Sequence, residues 1–106
     1  MMRISEQEKK AFCDVIEKHI TPPAELRLFG SRIDDTAKGG DIDLLLIVKD
    51  EQTRSKVLLN KTEILSDIKS MIGDQKIDLI ITTQQAIPSS AFLTSIYPDS
   101  LLIKRF

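Results

Sequence analysis

The run Asp41-Ile42-Asp43-Leu44-Leu45-Leu46-Ile47-Val48 limits the possible folds more than any other stretch. Past its two aspartates every position is aliphatic, so as a strand it has no polar face to offer to water. A strand apolar on both faces belongs in the middle of a sheet covered on both sides. Residues two apart share a face of a strand, so Asp41 and Asp43 stand side by side at its start. Two carboxylates so placed repel by roughly 2–4 kcal/mol, for an effective dielectric near 20 and separations of about 4–6.5 Å. A divalent cation would convert that repulsion into attraction, which makes the pair a candidate metal site.

The flanking chain supplies partners for this strand. Ser5-Glu6-Gln7-Glu8 reads as a capping box opening a helix to about His19, with Phe12, Val15, Ile16 and His19 on one side. Thr21-Pro22-Pro23 stops it, because a residue before proline is pushed out of helical dihedrals. Glu25 to Phe29 alternates as a short strand that ends in Gly30-Ser31. Residues 31–40 make a charged connection longer than the usual hairpin loop of about 2–5 residues. After Asp50–Thr53, the residues Val57, Leu58, Ile64, Leu65, Ile68 and Ile72 recur at helical spacing up to Gly73, a natural C-terminal stop. Lys76 to Thr82 forms a third strand, interrupted only by Asp78. Ser89-Ser90 caps a short helix through about Ile96, and Leu101 to Ile103 is a weak final strand.

With 106 residues the chain suits a single domain, 1–106, and buries roughly 65% of its unfolded surface, enough for one core. A net charge of −1 offers no global attraction for nucleic-acid phosphates, so any such contact must be local. Cys13 is the sole cysteine, which excludes an intrachain disulfide and fits a reducing cytoplasm. The N-terminus lacks a signal peptide's apolar core, and no segment reaches the roughly 18 apolar residues of a membrane span. The expectation is a cytoplasmic domain.

Each motif has a bland reading. Gly-Ser pairs are common turn residues, but Gly30 also admits a phosphate close to the backbone, and Ser31 and Arg32 would donate to its oxygens. Lys38, in the same loop, is within reach of such phosphates or simply solvated. Asp41 and Asp43 suit a turn cap and a solvated edge position. Asp78 suits an edge residue paired with Lys76. His19 fits a helix-dipole role, and Cys13 and Tyr97 read as packing.

Taken together, Gly30-Ser31-Arg32, Asp41-x-Asp43 and the later-strand Asp78 resemble the minimal nucleotidyltransferase branch of the DNA polymerase β superfamily. The order of elements matches over about residues 5–82. The resemblance implies an α/β (α+β) palm-like fold, a small mixed β-sheet with helices mainly on one side. It implies that Asp41, Asp43 and Asp78 hold two Mg²⁺ ions and carry catalysis, while Gly30, Ser31 and Arg32 bind the phosphates of ATP. Gly40 departs from the pattern, standing where many relatives carry Ser before the first aspartate.

Minimal nucleotidyltransferases similar to this one are antitoxins that transfer AMP from ATP to a tyrosine of a HEPN-domain ribonuclease toxin. The resemblance therefore implies a HEPN-type protein partner in a type VII-like toxin–antitoxin pair. Two other readings stay open: an interaction module that neutralises its partner by binding alone, and nucleotidyl transfer to a small molecule or an RNA end. A homodimer also stays open, as do the nucleotide base and the number of AMP groups transferred.

Overall fold

The first helix starts where its capping residues place it. In the computed structural model, which describes residues 4–30 and 41–106, α1 spans Glu6–Glu17. Ser5 Oγ accepts the Glu8 N–H at 3.0 Å, and Glu8 Oε1 accepts the Ser5 N–H at 2.8 Å. Caps of this kind contribute about 1 kcal/mol. The second oxygen of Glu8 accepts from Gln75 Nε2 at 2.9 Å, tying the start of α1 to the approach to the third strand. The helix closes at Glu17, short of His19, with the prolines beyond it.

Strands β1 (Glu25–Phe29) and β2 (Ile42–Val48) pair antiparallel, Leu28 opposite Leu44 and Phe29 opposite Asp43. The stripe between residues 50 and 73 is two helices rather than one, α2 (Glu51–Leu59) and α3 (Lys61–Ile72). Asn60 separates them at φ −101°, ψ 8°, and its Nδ2 donates to the Lys56 carbonyl at 2.9 Å. An asparagine amide competes with the helical ladder for backbone groups, and here it closes the first helix. The break also sorts the apolar residues: Val57, Ile64 and Ile68 are fully buried, whereas Leu58 and Leu59 face solvent.

Strand β3 (Ile77–Thr83) runs parallel to β2. A 3-10 helix (Gln84–Ser89) and α4 (Ala91–Ile96) follow, and Ser90 Oγ caps α4 by accepting the Leu93 N–H. Strand β4 (Leu101–Arg105) then returns to β1 in antiparallel pairing. The sheet is mixed, in the order β3-β2-β1-β4, so the aliphatic run lies inside it as its composition demands.

Alternation divides the two faces. Leu26 and Leu28, then Ile42, Leu44, Leu46 and Val48, then Ile77, Leu79 and Ile81 pack with Phe12, Val15 and Ile16 of α1 and with Ile64 and Ile68 of α3. Fully burying each such side chain stabilises the fold by about 1.5–3 kcal/mol. Phe29, Leu45 and Ile47 point the other way, under Ile87 of the 3-10 helix and Leu93 of α4. The second layer is latched by Arg27. Its guanidinium donates to Ser100 Oγ at 2.6 Å, the Ser100 carbonyl at 3.1 Å and Glu25 Oε1 at 2.9 Å, and lies over the Tyr97 ring. Among the described residues, no helix is long and apolar enough to cross a membrane.

Candidate active site

The acids sit where β1 ends and β2 and β3 begin. Parallel pairing puts Asp43 opposite Asp78, and antiparallel pairing puts Asp43 opposite Phe29. Phe29, Asp43 and Asp78 therefore form one rung across three strands, with side chains on the face that carries the thinner layer. Asp41 precedes β2 by one residue and shares parity with Asp43.

Gly30 closes the rung on the β1 side. Its φ of +78° belongs to the left-handed region that favours glycine. A Cβ built there would run into Asp43 Oδ2 and lie 3.0 Å from Asp43 Cγ. The glycine thus lets the end of β1 pass close against the carboxylate, a close approach that explains its place in the motif.

Burial, first of all, raises the Asp43 carboxyl above the ordinary carboxylate range; the charges of Asp78 and Asp41 push it further, and Lys76 opposes them. Asp43 is thus near enough to both other acids to feel their charge. Lys76 Nζ lies 3.5 Å from Asp41 Oδ2, so the lysine expected beside Asp78 turns to Asp41. Lys76 is exposed and Asp41 half-buried, and such a pair contributes at most about 1 kcal/mol. Asp78 itself is exposed, on a strand that forms one edge of the sheet.

Among the described residues no three acidic, histidine or cysteine side chains close into a ready-made metal cluster. The donor set nevertheless fits a hard cation: the groups are all carboxylates, and Mg²⁺ takes one or two of these and completes its shell with water and phosphate oxygens. Ser31, Arg32, Lys38 and Gly40 lie outside the described residues. Of the residues named from sequence, the structure therefore brings together Gly30, Asp41, Asp43 and Asp78.

A family model described as a nucleotidyltransferase domain matches residues 8–101. The chain belongs to that family. A comparison with curated proteins returns no match. The family assignment carries nucleotidyl transfer as the activity and a nucleoside triphosphate with a divalent metal as the usual requirements. The mixed sheet and its helices are compatible with that domain's fold.

Two hollows of this nucleotidyltransferase domain have none of the three acids in their walls. One, of about 310 Å³, lies at the far ends of β1 and β2 among Ala24, Val48, Gln84 and Phe106, and none of the acids lines it. The other, of about 550 Å³, runs along the outer side of β3 past Ile80 and Phe92. Phe92 was missed by the sequence reading. It is half-exposed, its ring meets that of Phe29 edge-on at 6.2 Å, and Phe29 is on the rung of Asp43. The available signal was an aromatic residue just after the Ser90 cap of a helix too short to bury all its sides.

Proposed function

We propose that this nucleotidyltransferase uses Mg²⁺ and ATP to place AMP on a tyrosine of a HEPN-type toxin, and thereby serves as its antitoxin. The observation that carries the reading is the Asp43–Asp78 register with Gly30 held against Asp43. Three strands deliver a left-handed glycine, a central acid and an outer acid to one end of the sheet, which suits an in-line displacement at a phosphoryl group. Bound Mg²⁺ would neutralise the carboxylates and stabilise charge on the phosphoryl oxygens.

The chain's own residues have separable tasks in this reading. Gly30 leaves room for phosphate at the end of β1, and Ser31 and Arg32 donate to the departing phosphates. Asp41 and Asp43 face the transferred group. Asp78, exposed at the outer strand, orients the acceptor hydroxyl and takes up its proton. The partner and the antitoxin role rest on resemblance to minimal nucleotidyltransferases.

The test is to incubate the protein with ATP labelled at its α-phosphate, Mg²⁺ and the HEPN-type product of a neighbouring reading frame. Label is expected on a partner tyrosine with the parent and none with Asp43→Asn. Robust labelling by Asp43→Asn would sink the acid assignment. Labelling of a small hydroxylated compound with no partner present would sink the antitoxin role.

A further inference from the structure

We infer that the groove along the outer edge of β3 is the acceptor half of the site, and that it takes an extended polypeptide segment whose hydroxyl is delivered to Asp78. The inference rests on the transfer chemistry proposed above and adds where on the fold the acceptor is held and in what conformation. The groove, about 550 Å³, is lined by Ile80, Ile81 and Thr82 of β3, Arg54 of α2, Ser89 and Phe92. β3 is the terminal strand on that side of the sheet.

Position is the first argument. An in-line displacement puts the attacking and leaving oxygens on opposite sides of the transferred phosphorus. The Gly30 turn lies on the β1 side of Asp43, and Asp78 lies on the β3 side, so a departure toward Gly30 requires an attack from beyond Asp78. Ile80 is the next residue along β3 on the face of Asp78, about 6.5–7 Å further on. The groove therefore begins where the attacking oxygen must arrive. Phe92, half-exposed and braced on Phe29, forms its wall beside the rung of acids.

Charge decides the occupant. The ionic groups at the groove, Arg54 and Glu51, are paired with each other at 3.0 Å, and Arg54 Nε also donates to the Ile81 carbonyl at 3.1 Å. Among the described residues this pairing leaves no net positive charge there for a polyphosphate backbone, and the exposed carboxylate of Asp78, two residues before Ile80 on the same strand, would repel one. Apolar walls, a neutral ion pair and a strand edge match an extended, uncharged polypeptide, which binds such edges through its backbone and alternate side chains. In the step itself the acceptor oxygen forms a bond to the α-phosphorus of the triphosphate, and the bond from that phosphorus to the bridging oxygen breaks. Pyrophosphate leaves with the electron pair, and the hydroxyl proton passes to Asp78.

Ser89 and Phe92 are both exposed, so Ser89→Arg and Phe92→Ala fill or strip the groove without opening the core. The purified protein or each purified variant is given ATP labelled at the α-phosphate, with Mg²⁺, the purified product of the neighbouring reading frame and deproteinised total RNA from the same cells. ATP binding is measured separately by calorimetry, and folding by circular dichroism. The expected result is protease-sensitive label that falls about tenfold or more in both variants, the usual scale for an interface aromatic, while ATP binding holds. Protease-sensitive label at parental rates in both variants would overturn the groove assignment. Ribonuclease-sensitive label would overturn the polypeptide. ATP binding without any macromolecular label would instead overturn the transfer reading beneath it, a failure distinct from the other two.

Discussion

Gly30→Ala isolates the closest approach in the site. The residue has φ +78°, and forcing an L side chain into that region costs about 1–2 kcal/mol. The new methyl would also meet Asp43 Oδ2 and stand 3.0 Å from Cγ, so the carboxylate has to swing aside. Holding Asp43 some 30° off its rotamer adds about 0.5–1.5 kcal/mol. The sum of about 1.5–3.5 kcal/mol corresponds to a melting temperature lower by about 6–28 °C for a domain of this size, at about 4–8 °C per kcal/mol. The two contributions separate in a double-mutant cycle. In an Asp43→Ala background the carboxylate is gone, the nearest remaining atom to the methyl is the Cβ at position 43, at 3.3 Å, and the glycine substitution should cost little more than the backbone part. A coupling of about 0.5–1.5 kcal/mol between the two positions is the expected signature, read from urea and thermal unfolding. Equal costs in both backgrounds would refute the contact, and a cost below about 0.5 kcal/mol would refute the left-handed turn as well.

Two further outcomes follow from the same geometry. Asp43 holds its proton more tightly folded than unfolded, because its carboxyl lies above the ordinary 3.8. Its contribution to stability is therefore present below that value and lost as pH rises through the folded one. Asp43→Asn should melt above the parent at pH 7 in EDTA, with the gap closing toward pH 3, and added Mg²⁺ should raise the parent alone; a gap that widened in acid would contradict the assignment. Arg27→Met removes three hydrogen bonds and a ring contact from a latch only 14% exposed at the arginine, and it should cost about 3 kcal/mol. Hydrogen exchange would show the loss first in residues 101–105, and unchanged protection there would mean that the latch is not what holds β4.

What could be read in advance was whatever the chain writes locally. Ser5 and Glu8 are three residues apart and cap each other whatever the rest of the fold does. The aliphatic run after Asp43 announces an interior strand because no face of it tolerates water. That Asp41 and Asp43 share a face at the start of one strand, and that β1 ends before Gly30, was legible from alternation and from the Gly-Ser boundary. The misses depend on distant partners. Nothing adjacent to Asn60 marks a break in a stripe of apolar residues that would serve equally well in one long helix. Lys76 was weighed against Asp78 on parity within one strand, yet the pairing of β2 with β3 brings Asp41 to it. Arg27 and Ser100 stand 73 positions apart, and only the return of β4 makes them neighbours. Phe92 gains meaning from Phe29 and the strand edge, neither of which its own helix reveals.

The parallel register of β2 and β3 makes the fold its own gauge. Asp43 faces Asp78 only because Leu44 faces Leu79 and Ile42 faces Ile77. A slip of one residue would turn Asp78 inward among the aliphatic side chains and bring Leu79 out to the mouth of the site. Correct seating of the core and correct spacing of the acids are therefore a single event. A substitution such as Leu79→Ala, buried in the core on the opposite face of the strand from Asp78, would present itself in an activity assay as damage to the chemistry.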